Sequence, residues 1–293
     1  MDLGRVGLWT FYLDLEPSAR AGEIVAELDE LGYGAVWLPE VFGRDALVSS
    51  ALLLSATERI VLATGIANIY ARDALAMSCG QKTLTEAFPE RFLLGLGVSH
   101  QPAIELMRGH TYGPPLATMR TYLDAMDAAP YMAFAPSSTP RRVLAALGPK
   151  MLALAAANAD GAHPYFVPVE HTAVARDILG PGPILAPEQK AVLETDPAKA
   201  RTVARQAMSI YLGLPNYTNN LLRLGFTEAD FADGGSDRLV DAIVVWGDEE
   251  TIAARVQAHH DAGADHVAVQ LLAPLGEGIP IEGWRRLAPV LLG

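Results

Sequence analysis

Three polar side chains that follow apolar runs of the sequence are of types that transfer protons. They are Glu40, His100 and His163. A carboxyl group or an imidazole serves as a general acid or base when its surroundings bring its pKa close to neutrality. We therefore predict that these residues carry catalytic proton transfer. The alternatives are structural: Glu40 can pair with Arg44 or Arg72, and a lone histidine after a strand is more often simply hydrogen-bonded in place.

Two glycine-containing turns are suited to binding an anion or a planar ring. Gly97-Val98-Ser99 ends an apolar run, and glycine lets a ligand approach the backbone closely. Gly148-Pro149 stands between a strand-like run and a helical one, where free amides at the helix start attract an anion. An ordinary glycine kink and an ordinary tight turn are the alternatives for the two segments.

The elements that must position these residues alternate along the chain. Apolar runs predict strands over 5–10, 35–38, 60–66, 92–98, 142–146, 161–167, 186–195 and 266–272. Amphipathic spacing predicts helices over 17–31, 46–57, 73–87, 119–126, 149–158, 170–179, 196–212, 248–262 and 284–292. Segment 213–246 is predicted to be irregular, and His171 and His259 are expected on solvated helix faces.

Parallel strand–helix units in this number predict an α/β fold, a (β/α)8 TIM barrel formed by one domain over residues 1–293. A doubly wound sheet is the alternative, but the turn at 10–13 lacks the G-x-G-x-x-G pattern of dinucleotide-binding sheets. In a TIM barrel the active site lies at the C-terminal ends of the strands. The candidate residues all fall at such ends, which favours a site there.

Composition excludes several classes of protein. The chain has 293 residues, of which 51% are hydrophobic and 19% charged, enough to bury a large core and to exclude disorder. A net charge of -12 argues against binding nucleic acid or a membrane surface. One cysteine, Cys79, excludes an internal disulfide and a cysteine-based zinc site. We expect no metal centre, no membrane-spanning segment and a cytoplasmic location.

A further set of segments occurs in a familiar order along the chain: 64–73, 91–99, 156–162, 246–250 and 262–267. Together these segments resemble the bacterial luciferase-like monooxygenase superfamily, and within it the coenzyme F420-dependent oxidoreductases. The resemblance implies a luciferase-like barrel with an insertion after strand seven. It also implies a deazaflavin or flavin lying across the strand ends, supported by a non-prolyl cis peptide near Ala67-Asn68. The cofactor-binding residues implied are Ala67, Asn68, Gly97, Val98, Ser99, Gly148 and Pro149.

The chemistry implied by the resemblance is hydride transfer between the deazaflavin C5 and a small organic substrate. The substrate pocket would be walled by Trp9, Tyr70, Tyr112 and Tyr165, and partly by a loop over 214–226. Several relatives carry a histidine or tryptophan where this chain has Glu40, which leaves the proton-transferring residue open. Relatives commonly form homodimers through the second and third helices, so a homodimer is expected.

Three alternatives to the F420 enzyme stay open. An FMN-dependent two-component monooxygenase on the same barrel would need a separate reductase, because nothing in the sequence resembles a nicotinamide domain. A barrel that binds a ligand without turnover would keep the pocket and lack the chemistry. A lyase or aldolase would need a lysine at a strand end, and Lys190, inside predicted strand seven, keeps that alternative open.

Overall fold

The computed structural model describes residues 1–274 and 276–293. Over these ranges the strands are β1 (Val6–Trp9), β2 (Ala35–Leu38), β3 (Val61–Thr64), β4 (Ala67–Asn68), β5 (Phe92–Gly97), β6 (Arg141–Leu144), β7 (Gly161–Ala162), β8 (Ile184–Leu185), β9 (Glu188–Leu193), β10 (Val244–Gly247) and β11 (Val267–Leu271). The helices are α1 (Ser18–Leu31), α2 (Ala46–Ser55), α3 (Ala74–Ala87), α4 (Pro115–Asp127), α5 (Pro149–Asn158), α6 (Val169–Leu179), α7 (Pro197–Leu212), α8 (Pro215–Arg223), α9 (Asp237–Ile243), α10 (Glu249–Asp261) and α11 (Ile281–Leu292).

The strands pair in parallel in the order β10-β9-β11-β1-β2-β3-β5-β6-β7-β8, and β4 extends the sheet beside β5. The two ends of this path are joined because β8 and β9 are parts of one segment, interrupted at Ala186-Pro187. Ala186 N donates to Ala162 O at 3.0 Å on one side, and Ala268 N donates to Pro187 O at 2.9 Å on the other. The sheet therefore closes into the barrel that the sequence predicts.

Two apolar layers hold the barrel together. An outer layer lies between strands and helices, where residues such as Leu62 and Leu94 pack against the helices. An inner layer fills the barrel and is dominated by Trp37, which is completely buried and donates from Nε1 to His266 Nε2 at 3.0 Å. Burying an indole N–H requires such an acceptor.

Aspartates begin several of the helices and explain why their starts are predictable. Asp45, Asp73, Asp196 and Asp248 each accept backbone N–H bonds from the first turn of α2, α3, α7 and α10. A side-chain acceptor satisfies amides that have no partner inside the helix. The predicted helices over 73–87, 149–158 and 196–212 are confirmed within one residue.

The predicted irregular segment 213–246 is wrong for most of its length. It holds α8, a 3-10 turn over Glu228–Gly234, α9 and the extra strand β10, which pairs with β9. Predicted strand 161–167 is also too long, since β7 ends at Ala162 and Phe166 adopts a φ of 59°. The proline at 164 and this left-handed backbone turn the chain out of the sheet.

Two histidines expected on solvated faces are buried. His259 is fully buried between Gln189 Oε1 and Thr172 Oγ1, each 2.8 Å from a ring nitrogen. His171 lies 2.9 Å from the carbonyl oxygen of Leu147 through its Nε2 atom. Both rings link a helix to polar atoms of neighbouring segments, a role that helical periodicity does not reveal.

Among the described residues, none of the helices has the length and apolar character needed to cross a membrane.

Candidate active site

A cavity of about 700 Å³ opens at the C-terminal edge of the barrel, where the sequence predicts the site. Its walls come from the segments that follow β1, β2, β3, β5, β6 and β7 and from the insertion that contains α8. Most of the predicted site residues line it: Trp9, Glu40, Gly97, Val98, Ser99, His100, Tyr112, Gly148, His163 and Tyr165.

Four predicted residues lie next to the cavity without lining it. Ala67 is completely buried in β4, and Asn68 is buried beside it with its backbone N–H bonded to Glu40. Tyr70 accepts a hydrogen bond from Gly113 N at 3.0 Å, and Pro149 forms the first residue of α5. These four residues lie behind the residues that line the cavity.

The cis peptide bond that the resemblance implies is present at Gly65–Ile66, at the end of β3. The position near Ala67-Asn68 that we expected is therefore wrong by two residues. Trp9 Nε1 donates to Gly65 O at 2.9 Å and fixes this turn at the cavity floor. A Cβ atom at Gly65 would lie 2.7 Å from Trp9 Nε1 and 3.1 Å from His163 Nε2, so only glycine fits there.

His163 forms part of the same floor and is held as a neutral imidazole. Its Nδ1 atom lies 2.6 Å from Ala186 O, so Nδ1 carries the hydrogen, and the ring stacks on Trp37 with centroids 4.2 Å apart. Burial lowers the pKa of His163 to about 4, against a smaller opposing effect of the Ala186 carbonyl. Nε2 is buried without a partner among the described residues, and presents a free lone pair at the floor.

Glu40 forms an ion pair with Arg72, which is one of the two structural alternatives that the sequence left open. Oε2 accepts from Asn68 N at 2.8 Å and from Arg72 Nη1 at 3.0 Å. Oε1 accepts from Ala46 N at 3.2 Å and from Arg72 Nη2. Four donors occupy both oxygens, so the carboxylate ties the loop after β2 to the turn after β3.

His100 stands on the cavity wall, at the end of the glycine turn after β5. Ser99 before it has a φ of 56°, which turns the chain away from the strand. The ring of His100 lies 5.5 Å from the ring of Tyr217, a residue of α8. Burial lowers the pKa of His100, opposed by a hydrogen bond with Asn216, so the imidazole is neutral near pH 7.

The turn at the α5 N-terminus, where the sequence predicts anion binding, lies at the cavity and is faced by a cation that the sequence analysis missed. No side chain among the described residues caps α5, Pro149 carries no N–H, and Met151 N donates to Gly148 O at 3.1 Å, so the Lys150 amide is the donor of the first turn that is left for a ligand. Arg223 Nη2 lies 3.5 Å from the position of a Cβ built on Gly148. His171 bonds the carbonyl of the preceding residue, Leu147, and so holds this turn in place.

Residues of the insertion complete the cavity. Asn216, Asn219 and Arg223 line it from α8, and Tyr211 lines it from the end of α7. Their spacing of three and four residues places the α8 side chains on one helical face. The sequence analysis places segment 214–226 at the pocket but predicts a loop there, and this periodicity is the signal for a helix that it does not use.

Beneath the tyrosines lies a buried charged cluster that does not open to the cavity. Lys190 Nζ donates to Glu188 Oε1 and to Gln270 Oε1, each at 3.1 Å, and lies 3.8 Å from the ring centre of Tyr165. Tyr165 in turn donates to Gln270 Oε1 at 2.9 Å. A lysine so enclosed has no path to a substrate, which disfavours the lyase alternative.

Comparison with known proteins agrees with this architecture. The family model described as luciferase-like monooxygenase matches residues 4–266, and the chain belongs to that family. A protein of Mycobacterium tuberculosis whose name describes it as a coenzyme F420-dependent oxidoreductase is 26% identical, over 90% of this chain and 94% of its own. A 5,10-methylenetetrahydromethanopterin reductase of Methanolobus tindarius is 27% identical, over 91% and 95% of the two chains.

Solved structures confirm the predicted fold. An F420-dependent secondary alcohol dehydrogenase, in complex with an F420–acetone adduct, matches with a TM-score of 0.76 at 14% identity over 99% of both chains. The oxygenating constituent of 3,6-diketocamphane monooxygenase from Pseudomonas putida, in complex with FMN, matches with a TM-score of 0.72 at 14% identity over 98% of both chains. At these identities the likeness establishes the luciferase-like TIM barrel alone.

Proposed function

We propose that the protein is an F420-dependent oxidoreductase that transfers a hydride between the deazaflavin C5 and a small organic substrate. The proposal rests on one observation: the same cavity contains a cradle suited to an anion and a floor formed by a glycine turn. The cradle is the α5 N-terminus faced by Arg223, and the floor is the Gly65–Ile66 turn. The two relatives whose names describe F420-dependent or methanopterin-dependent redox chemistry support the same reading.

The residues present fit such a cofactor. A phosphodiester would be held by the Lys150 amide at the start of α5 and by Arg223, which supply a backbone N–H donor and a positive charge. A ring system would lie over the Gly65–Ile66 turn beside Gly97-Val98-Ser99. Gly97 packs directly against the side chain of Ile66, because a Cβ there would lie 2.5 Å from Ile66 Cγ1, and glycine therefore lets β5 approach the cis turn closely.

The residues around the cavity have different roles in the proposed mechanism. The cofactor supplies the hydride chemistry when it is bound. Trp9 and Tyr165 enclose the reacting region with aromatic surface and exclude water, which strengthens polar interactions inside. His100 is neutral and lines the wall, and we assign it the proton exchange with the substrate oxygen. His163 Nε2, which has no partner among the described residues, would accept a hydrogen bond from a ligand at the floor, and Glu40 positions the surrounding turns through Arg72.

The proposal includes a homodimer, as the resemblance implies. Val48 and Leu52 of α2 and Leu75 of α3 are exposed apolar side chains on the two helices concerned. Light scattering coupled to size-exclusion chromatography tests this part: a mass near twice 31.2 kDa supports it, and a monomer contradicts it.

The cofactor assignment is tested by titration. We expect F420 fluorescence to be quenched with micromolar affinity and FMN to bind far more weakly. Replacing the cation in Arg223→Gln should weaken F420 binding about tenfold or more, since a charge-assisted hydrogen bond contributes about 1.5–3 kcal/mol. Arg120→Gln is the matched control, because Arg120 is an exposed arginine of α4 that does not line the cavity.

The other outcomes identify the alternatives. Binding of FMN without F420 would make the protein the oxygenating component of a two-component monooxygenase that needs a separate reductase. The FMN-bound structural relative is the observation that keeps this alternative in view. Binding of neither cofactor would contradict both enzyme proposals and leave a barrel for another ligand.

A further inference from the structure

We infer that the substrate is an uncharged, largely apolar molecule whose tail lies against an apolar mouth of the cavity. The apolar mouth is defined by Phe42, Leu106, Met107 and Ile210. This inference rests on the proposed function for the reaction and for the assignment of Arg223 to the cofactor, and on the geometry of the cavity for the apolar character of the ligand.

The apolar mouth combines two properties that seldom coincide. Its four side chains line the cavity, yet Phe42 is 62% exposed, Leu106 84%, Met107 63% and Ile210 68%. They come from three separate parts of the chain: the loop after β2, the segment after β5 and the end of α7. Exposed apolar patches of this kind mark ligand grooves or interfaces. Because these side chains continue the lining of the cavity outward, a ligand seated in the cavity is the occupant we assign.

The backbone after β5 holds two of these side chains in place. Residues Ala103–Met107 form a single turn of π-helix, with Ile104 completely buried beneath it. Turns of π-helix are uncommon and occur frequently at functional sites. The buried Ile104 anchors the turn, so that Leu106 and Met107 project at the cavity entrance although water surrounds them.

The charges on the cavity wall exclude a charged substrate. Apart from tyrosines, the charged or titratable side chains among the described residues that line it are Glu40, His100, His163 and Arg223. Glu40 is neutralised by Arg72, both histidines have lowered pKa values, and Arg223 with the α5 N-terminus is assigned to the phosphodiester of the cofactor. With the cofactor in that place, a charged substrate group would be desolvated without a partner, which is costly. A ketone or alcohol oxygen needs no such partner.

The inference is tested by binding, without turnover. The uncharged dye Nile red is titrated into the protein by fluorescence, and straight-chain ketones from 2-butanone to 2-decanone compete for it. Each added methylene that enters the mouth should tighten competition about fourfold, the factor that corresponds to burying one CH₂. The double variant Leu106→Ser/Met107→Ser should flatten this dependence on chain length.

A matched control separates the mouth from general surface hydrophobicity. Met132 and Phe134 are 96% and 82% exposed and do not line the cavity, so Met132→Ser/Phe134→Ser should leave the dependence on chain length unchanged. The four side chains replaced in the two double variants are all exposed, so both variants should keep the thermal midpoint of unfolding of the parent protein.

Each contrary result is decisive. Affinity that does not change with ketone length, equal losses in the two double variants, or no saturable dye binding would overturn the inference. A mouth variant that changes the mass of the particle in light scattering, with unchanged competition, would show that a second copy covers the mouth and would also overturn it. F420 titration of the same variants is read separately: dye competition without F420 binding keeps the apolar site and contradicts the proposed cofactor.

Discussion

Two buried ion pairs near the cavity differ in how many donors surround the carboxylate. Glu40 receives two donors from Arg72 and two backbone N–H groups, and its partner side chain is 11% exposed. Glu188 receives Lys190 at 3.1 Å and the backbone N–H of Phe166 at 3.1 Å, and both charged side chains are 1% exposed. The Glu40 carboxylate therefore has four hydrogen-bond donors, whereas the Glu188–Lys190 pair has fewer donors and is almost completely buried.

The enclosed surroundings of the Glu188–Lys190 pair shift the pKa values of both partners. Burial lowers the pKa of Lys190 to about 8 and raises the pKa of Glu188, although each partner opposes the shift of the other. Complete burial disfavours both charged forms, and two donors do not compensate fully. A guanidinium offers a planar fork that matches a carboxylate, whereas an ammonium is a point charge. The Glu40–Arg72 pair therefore holds the surrounding loops in a defined arrangement. The Glu188–Lys190 pair keeps two charges buried at a cost in desolvation free energy.

The largest expected effect is the loss of Lys190. Lys190→Met leaves Glu188 buried with one backbone donor, and should lower the free energy of unfolding by about 3–5 kcal/mol. Urea denaturation measures it. The double variant Glu188→Gln/Lys190→Met removes both charges and should recover most of the loss. A single variant that loses less than about 1 kcal/mol, or a double variant less stable than the single one, would contradict this account of the pair.

Acid should destabilise the enclosed interior before it affects the carboxylates. Burial lowers the pKa of His163 and His266 to about 4, below the ordinary 6.5, so the unfolded chain takes up protons first as the pH falls. Stability is thus complete above pH 6.5 and declines toward pH 4, by on the order of 3 kcal/mol for each ring. Ion-paired carboxylates such as Asp45, whose pKa is lowered from 3.8, contribute losses only below this window.

Urea midpoints measured stepwise across this pH range test the prediction. His163→Asn should lose its share of the slope, and His110→Gln should retain all of it because His110 is exposed. A free energy of unfolding that stays constant from pH 6.5 to pH 4 would contradict this prediction. It would mean that the imidazoles of His163 and His266 are protonated without loss of stability, and that burial does not distinguish them from the Glu40 cluster.

Local signals explain what the sequence could predict. Asp73 and Asp196 cap helices whose bounds are correct, because a cap and its helix are adjacent in the chain. Glycine turns after apolar runs placed the cavity correctly, since parallel strands bring their C-terminal ends together. Most of the predicted residues accordingly line one cavity, and the roles assigned to them stay predictions.

Long-range partners explain what the sequence could not predict. Arg44 and Arg72 were equal candidates to pair with Glu40, and Arg44 instead donates to the carbonyl oxygens of Leu13 and Glu16. Arg223 reaches Gly148 across a separation that no periodicity encodes. The choice between such partners depends on how the insertion packs, which is a property of the closed barrel.

The smallest expected effect lies at the exposed edge of the Glu40 cluster. Asp45 is 46% exposed, receives Arg72 Nη2 at 2.6 Å and also caps α2. Asp45→Asn keeps the capping oxygen and removes only the exposed charge, so the loss should be about 0.2–1 kcal/mol and should shrink in high salt. Asp45→Ala removes the cap as well and should cost about 1 kcal/mol more. Urea denaturation in low and high salt separates these contributions. A loss of several kcal/mol in Asp45→Asn would show that Arg72 needs both carboxylates, and that the Glu40 pair is not saturated by its own four donors.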